Sequence, residues 1–309
     1  MTNPEAKNLD PVPVAYQGEP GAFSEEALHA ALPSDAIHPT PRAWFPDVAE
    51  AVGRGETPLG LLPVENSLAG SVTDSYDLLA EGDLTVVAEL VHPIRLVVMG
   101  LPGARMEDLK RVLSHPVALA QCTGFLARKG APEAVAVTDT AGAARQAAEA
   151  GDPEVGAIAG MGAARRYELT PLAQDVQNRS DNRTRFYLVC RKGMEKRIPF
   201  TLPAPTRTAV ALEVPHEPGA LMGILEPFAR RGVNLTRLES RPAGVPWRYR
   251  FFLEFMGSAT SPEAEAALQE VASRASRLEV LGTFPTLGEP EAGPAGATDP
   301  GPGESAAES

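Results

Sequence analysis

The sequence is poor in cysteine and in positive charge, and it has no long apolar run. Only Cys122 and Cys190 carry a thiol among 309 residues. They are too few and too isolated for a disulfide framework or a structural zinc site, so reduced thiols and no metal are expected. Lys and Arg number 28 against 40 Asp and Glu, a formal net charge of -12, and no basic tract is available to neutralise phosphates. That argues against a nucleic-acid partner. No segment approaches the roughly 20 apolar residues of a membrane span, and the polar residues 1–10 lack the apolar core of a signal peptide. A cytoplasmic protein with no membrane partner is expected. No Gly-x-Gly-x-x-Gly follows the first apolar run, and no Gly-Lys-Ser/Thr phosphate loop occurs anywhere. Nicotinamide and ATP chemistry are therefore disfavoured, and no cofactor is implied.

What the chain has is length, apolar content and order. Its 309 residues, 43% of them hydrophobic, suffice for two cored domains of a folded, soluble protein. Between Val12 and Arg191 short apolar runs, at 12–16, 59–64, 95–99, 112–114, 134–137 and 155–159, alternate with helical stretches at 24–32, 72–80, 106–110, 117–129, 141–150 and 163–167. This βα alternation predicts a mostly parallel sheet covered on both faces, with ligands beyond the carboxyl ends of the strands. Four turns carry helix-capping residues: Gly21-Ala22-Phe23-Ser24, Glu65-Asn66-Ser67, Ser114-His115-Pro116 and Asp139-Thr140. Helix N-termini converging on one cleft would hold a carboxylate through backbone N–H donors, with little need for net positive charge.

After Arg191 the texture changes. Gly193, Pro199, Pro203 and Pro205 mark a connector, and from Thr208 the order βαββαβ follows, with strands at 209–214, 235–241, 247–256 and 277–284 and helices at 220–231 and 262–275. Pro227, inside the first of these helices, lacks an N–H and crowds the carbonyl of Gly223, which predicts a kink or an opened turn. Such a layer leaves one sheet edge and one sheet face uncovered, an invitation to a second copy. The remainder, 287–309, is dominated by Gly, Pro, Ala, Glu and Ser and is expected to be disordered.

The chemistry is placed at Asn182-Arg183-Thr184-Arg185-Phe186, a polar step into the apolar run 187–190. A hydroxyl between two guanidiniums combines a proton donor with cations able to grip carboxylates in fork geometry, which suits a small acidic substrate. His115, at a capped turn before Pro116, and Cys122, with no partner to activate it, read as structural.

With these pieces in order the chain resembles a prephenate dehydratase carrying its regulatory ACT domain. The family's motifs are matched by Tyr16-Gln17-Gly18-Glu19-Pro20-Gly21-Ala22-Phe23-Ser24, by Pro63-Val64-Glu65-Asn66-Ser67-Leu68-Ala69-Gly70-Ser71-Val72 and by Ser114-His115-Pro116-Val117-Ala118-Leu119-Ala120-Gln121-Cys122. Its Thr-Arg-Phe signature stands as Thr184-Arg185-Phe186, and Pro218-Gly219-Ala220-Leu221 and Glu239-Ser240-Arg241-Pro242 match the two motifs of the ACT unit. Ala22 and Val117 replace the family's usual Thr and Gln.

The resemblance implies an α/β fold: a two-lobed catalytic domain like a periplasmic binding protein over 12–192, with crossings near 90–93 and 176–184, then a βαββαβ, ferredoxin-like ACT domain over 207–286. The few residues before Val12 could not form a chorismate mutase segment, so the monofunctional form is expected. It implies decarboxylating dehydration of prephenate to phenylpyruvate in phenylalanine biosynthesis, with Thr184 as the hydrogen-bond donor to the departing hydroxyl. Arg185 would hold the pyruvyl carboxylate, and Asn66, Ser67, Ser114, Gln121 and Phe186 would complete the substrate site. L-phenylalanine would bind Gly219, Ala220, Leu221 and Met222 together with Asn234, Leu235, Glu239 and Ser240, at a seam between subunits of a dimer or tetramer. The rival readings are an arogenate dehydratase, a non-catalytic amino-acid sensor and a solute-binding protein.

Overall fold

The computed structural model describes residues 10–244 and 248–288. Apolar runs and helix starts set the first lobe: β1 (Val12–Gln17), α1 (Phe23–Ala31), β2 (Ile37–Arg42), α2 (Phe45–Gly53), β3 (Leu59–Asn66), β4 (Gly70–Ser71), α3 (Thr73–Glu81) and β5 (Leu84–Pro93). The chain then crosses to a second sheet. Its elements are β6 (Val97–Gly100), β7 (Arg111–Ser114), α4 (Pro116–Ala120), α5 (Thr123–Leu126), β8 (Glu133–Ala136), α6 (Thr140–Ala150), β9 (Val155–Ala159), α7 (Met161–Arg166) and β10 (Thr170–Ala173). Residues 174–182 lead back to β11 (Arg183–Arg191), which re-enters the first sheet between β3 and β5.

That return makes the first sheet mixed where a mostly parallel one was expected. β1 pairs in parallel with β2 and β3, but β11 runs antiparallel to both of its neighbours. The physical reason is direction: β11 arrives from the other lobe and so enters the sheet from the cleft end. It is buried on both faces, which its apolar run Phe186–Cys190 permits. The helix expected at 106–110 is one 3₁₀ turn, Met106–Asp108. The helix expected at 117–129 is broken into α4 and α5, because the Gln121 carbonyl accepts from the Asn178 N–H (2.6 Å) instead of continuing the helix.

The C-terminal unit contains β12 (Arg207–Glu213), α8 (Ala220–Arg230), β13 (Leu235–Pro242), β14 (Tyr249–Met256), α9 (Pro262–Arg274) and β15 (Arg277–Phe284), an antiparallel sheet in the order β13-β14-β12-β15. The helices cover one face, where Val210, Leu212, Leu253 and Phe255 pack with Ile224, Phe228 and Val271. Pro227 stays inside α8, and the carbonyl of Gly223 that it deprives of a donor accepts from Arg274 Nη1 (2.7 Å).

Two expectations are corrected here. The second sheet face is not open to another copy, because Ala209, Ala211, Phe252, Leu281 and Phe284 pack against the first lobe. There the Phe252 ring lies 5.0 Å from Tyr76 and Phe284 lies 5.2 Å from Tyr187. Nor does the chain become featureless at 287. Thr286–Gly288 forms β16, a strand parallel to β5 at the edge of the first sheet, with Leu287 packed on the core. Composition hid this strand because its apolar content is one leucine. The rest of the tail expected to be disordered, 289–309, lies outside the described residues. No helix among the described residues is long and apolar enough to cross a membrane.

Candidate active site

The cleft between the two lobes encloses about 700 Å3 and is lined from both sides. Five helices begin on it: Phe23 and Ser24 of α1, Phe45 of α2, Thr73 and Asp74 of α3, Val117 of α4 and Thr140 of α6 all face the cavity. Their capping differs. His115 Nδ1 accepts from the Val117 N–H (3.2 Å) and Asp139 Oδ1 accepts from the Gly142 N–H (2.6 Å), whereas α1 and α3 start without a side-chain cap. The turn at Asn66 caps no helix: Asn66 Oδ1 accepts from the N–H groups of Leu68 and Ala69, tightening the bend between β3 and β4.

A polar network crosses the cleft floor. Asn66 Nδ2 donates to Thr184 Oγ1 (3.0 Å), to Asn182 Oδ1 (2.8 Å) and to the Arg183 carbonyl (3.2 Å). Asn182 Nδ2 in turn donates to Gln121 Oε1 (2.8 Å), which joins the first lobe to the second. Since the Thr184 oxygen is engaged as an acceptor, its own proton is the one that can be donated into the cavity. Phe186, two residues along the same strand face, adds its ring to the lining beside Ile94 and Leu96. Among the described residues the lining includes Asp74 and Asp139 but no Lys or Arg.

Arg185 is therefore not where the sequence reading put it. Alternation along β11 turns it to the face opposite Thr184, where it is buried. Its guanidinium contacts Glu89, Glu65 (2.8 Å) and Glu254 of β14 (2.6 Å). Burial pulls the pKa down, but Glu254 and Glu89 outweigh it and hold the group above its ordinary value, so this fork is fully committed to the protein's own carboxylates. Ser114 is also turned away: it is fully buried and donates to the Ile158 carbonyl (2.6 Å). Ser67 holds the returning chain, donating to the Asp181 carbonyl and accepting from the Arg183 N–H, each at 3.0 Å. Gln121 reaches the cleft, as do Asn66, Thr184 and Phe186. Asn182, buried and central to the network, lies in the stretch expected to carry the chemistry but had been given no role there; its place beside Arg183-Thr184 was the available signal.

At the C-terminal unit a second cavity of about 420 Å3 opens at the start of α8, lined by Ala220, Leu221, Tyr249, Phe251, Arg248 and Glu217 among others. Gly219 sits at φ 82°, the left-handed region that favours glycine, and Met222 is exposed. Glu239 is not brought to Leu221. Its carboxylate lies on the other sheet face, accepting from Ser71 Oγ (2.7 Å) of the first lobe. Asn234, Leu235 and Ser240 do not line this cavity.

A two-lobed α/β unit with a hydroxyl and amides at the floor of its cleft, joined to a βαββαβ unit, defines a small-molecule enzyme with an attached ACT domain. The ACT model matches residues 208–273, and the model of prephenate dehydratase matches residues 14–194. The chain belongs to the prephenate dehydratase family and is a dehydratase of the lyase class. It is 41% identical over 288 residues to arogenate dehydratase 2 of Petunia hybrida, a match covering 88% of this chain and 71% of the relative. It is 34% identical over 280 residues to the bifunctional chorismate mutase/prephenate dehydratase of Aquifex aeolicus, covering 89% and 74%. Among solved structures, the prephenate dehydratase of Arthrobacter aurescens in complex with L-Phe superposes with a TM-score of 0.79 at 34% identity, covering 89% of this chain and 90% of that one.

Proposed function

We propose that the chain converts prephenate to phenylpyruvate, carbon dioxide and water in phenylalanine biosynthesis, with Thr184 as the donor to the departing hydroxyl. The observation that carries this is the Thr184 hydroxyl at the cleft floor, its oxygen engaged by Asn66 and its proton left to be donated. In the reaction the bond from the ring to its carboxylate breaks, the electron pair enters the ring, and the ring C–O bond breaks as the leaving oxygen takes a proton. Aromaticity supplies the driving force, so a positioned weak donor suffices. With Arg185 committed elsewhere, the pyruvyl carboxylate is assigned to the uncapped first turns of α1 and α3. The ring carboxylate lies against Phe186, Ile94 and Leu96, because a cation there would stabilise the charge that must leave.

Arogenate is the second reading, favoured by Asp74 and Asp139 on a cleft whose lining holds no Lys or Arg among the described residues, which suits an ammonium group. We further propose that L-phenylalanine binds the cavity at Ala220 and Leu221 and that β13, an edge strand among the described residues, pairs with a second copy; the cavity and that edge support this reading. Offering purified protein both compounds in competition tests the substrate reading. Phenylpyruvate as the dominant product supports prephenate, phenylalanine supports arogenate, and neither product overturns both.

A further inference from the structure

Thr184 and Asn66, which face the cleft, are each followed or preceded in sequence by a charged residue on the opposite sheet face, Arg185 and Glu65. These two are cross-strand partners at a register break: Arg185 opposes Glu65, but Phe186 opposes Pro63, so Val64 is the extra residue of a bulge directly behind the catalytic pair. Bulges re-aim neighbouring side chains, and this one is closed by an ion pair. The C-terminal unit completes the cluster. Glu254 of β14 contacts Arg185 and accepts from Tyr187 Oη (2.5 Å), and Arg237 of β13 pairs with Glu65 and donates to Ser71 Oγ (2.7 Å). Thr286 of β16 donates to Glu89 (2.7 Å), and Arg207 stands 3.6 Å from Glu89. Arginines 185, 207 and 237 thus face glutamates 65, 89 and 254, and apart from Glu65 all of them are largely buried.

We propose that Arg185 is a positioning residue: anchored by Glu254, it fixes the bulge that aims Thr184 and Asn66, so the ACT sheet forms part of the support of the catalytic cleft. A buried ion cluster of this kind sets geometry more than it adds stability, because each charge must find its partner in one register. Removing one carboxylate leaves Arg185 under-compensated and the bulge free to shift, with an effect on the aim of Thr184 and little on groups that only bind the substrate. The inference rests on Thr184 and Asn66 being the reacting site, and the test separates the two claims.

The full-length chain is compared with Glu254→Gln, with Arg237→Gln, and with Val210→Ala, which weakens the helix-facing core of the ACT unit without touching the cluster. Glu254→Gln and Arg237→Gln are expected to lower kcat about tenfold with KM changed less than about twofold, the scale of coupling carried by neighbouring residues. Glu254→Asp, which keeps the charge, is expected to recover part of the loss. Val210→Ala at a comparable fall in Tm is expected to keep the parent kcat. Hydrogen exchange at the amides of 183–187 and 64–68 is expected to be faster in both cluster variants than in Val210→Ala. Parent-like kcat and exchange in Arg237→Gln overturn the proposal even if Glu254→Gln does not fold, and so does a kcat that falls with Tm in Val210→Ala. If the parent turns over neither prephenate nor arogenate, the substrate reading fails, and the exchange at 183–187 still decides this one.

Discussion

Replacing Thr184 by Val keeps the shape of the side chain and removes only its hydroxyl, which isolates the one group assigned to the departing oxygen. The cost to the fold is small. Asn66 Nδ2 loses one acceptor at 3.0 Å but keeps Asn182 Oδ1 at 2.8 Å and the Arg183 carbonyl at 3.2 Å, so no donor is orphaned. One net hydrogen bond is worth about 1 kcal/mol, and the loss of stability should not exceed that. The cost to the reaction is larger, because a donor aimed at developing charge contributes about 3–4 kcal/mol, or 10²–10³ in kcat. KM should move little, since the hydroxyl binds the transition state more than the substrate. Initial rates of phenylpyruvate formation, with thermal melts on the same preparations, read both quantities. Thr184→Ser, which restores the hydroxyl, should recover most of the rate. A Thr184→Val enzyme within about twofold of the parent would refute the reasoning, whatever its stability.

Three further outcomes follow from the geometry. In Gly282→Ala the new Cβ would stand 2.2 Å from the Val86 carbonyl oxygen, so the variant should lose about 1–3 kcal/mol, seen as a lower denaturation midpoint, as the ACT sheet is pushed off β5. Ending the chain after Pro285 removes β16 and its Thr286–Glu89 bond and should lower Tm by several degrees relative to ending it after Gly288; equal Tm values would show that β16 contributes nothing. Burial pushes the Cys122 and Cys190 thiols up to about 12, so their thiolate fraction falls at every pH below that, and neither should be alkylated in the native protein at neutral pH; labelling before unfolding would contradict their burial.

The period-2 and period-3.6 patterns made the βαββαβ unit readable, because each of its elements has one apolar face to bury, but in the first lobe they passed over β2, α2, β4 and β5, and in the second over β10. The Thr184 stretch stands out for a local reason, a polar step at the mouth of an apolar strand, and of it Thr184 and Phe186 reach the cleft. Arg185 was misplaced by treating neighbours in sequence as neighbours in space. In a strand, residues 184 and 185 point to opposite faces, and only the partner carboxylates, 69 to 120 positions away in sequence, show what the second face touches. Ser114 fails similarly, since its partner carbonyl at Ile158 is a tertiary contact. The mixed direction of the first sheet and the docking of β16 depend on where the chain returns from, which no local pattern encodes.

The most direct measurement is the stoichiometry of turnover by the purified full-length chain given prephenate at neutral pH, following carbon dioxide and phenylpyruvate together. One phenylpyruvate is expected for each carbon dioxide released, at a rate that collapses in Thr184→Val. Prephenate left unconsumed, or consumed equally well by the parent and Thr184→Val, would contradict that expectation.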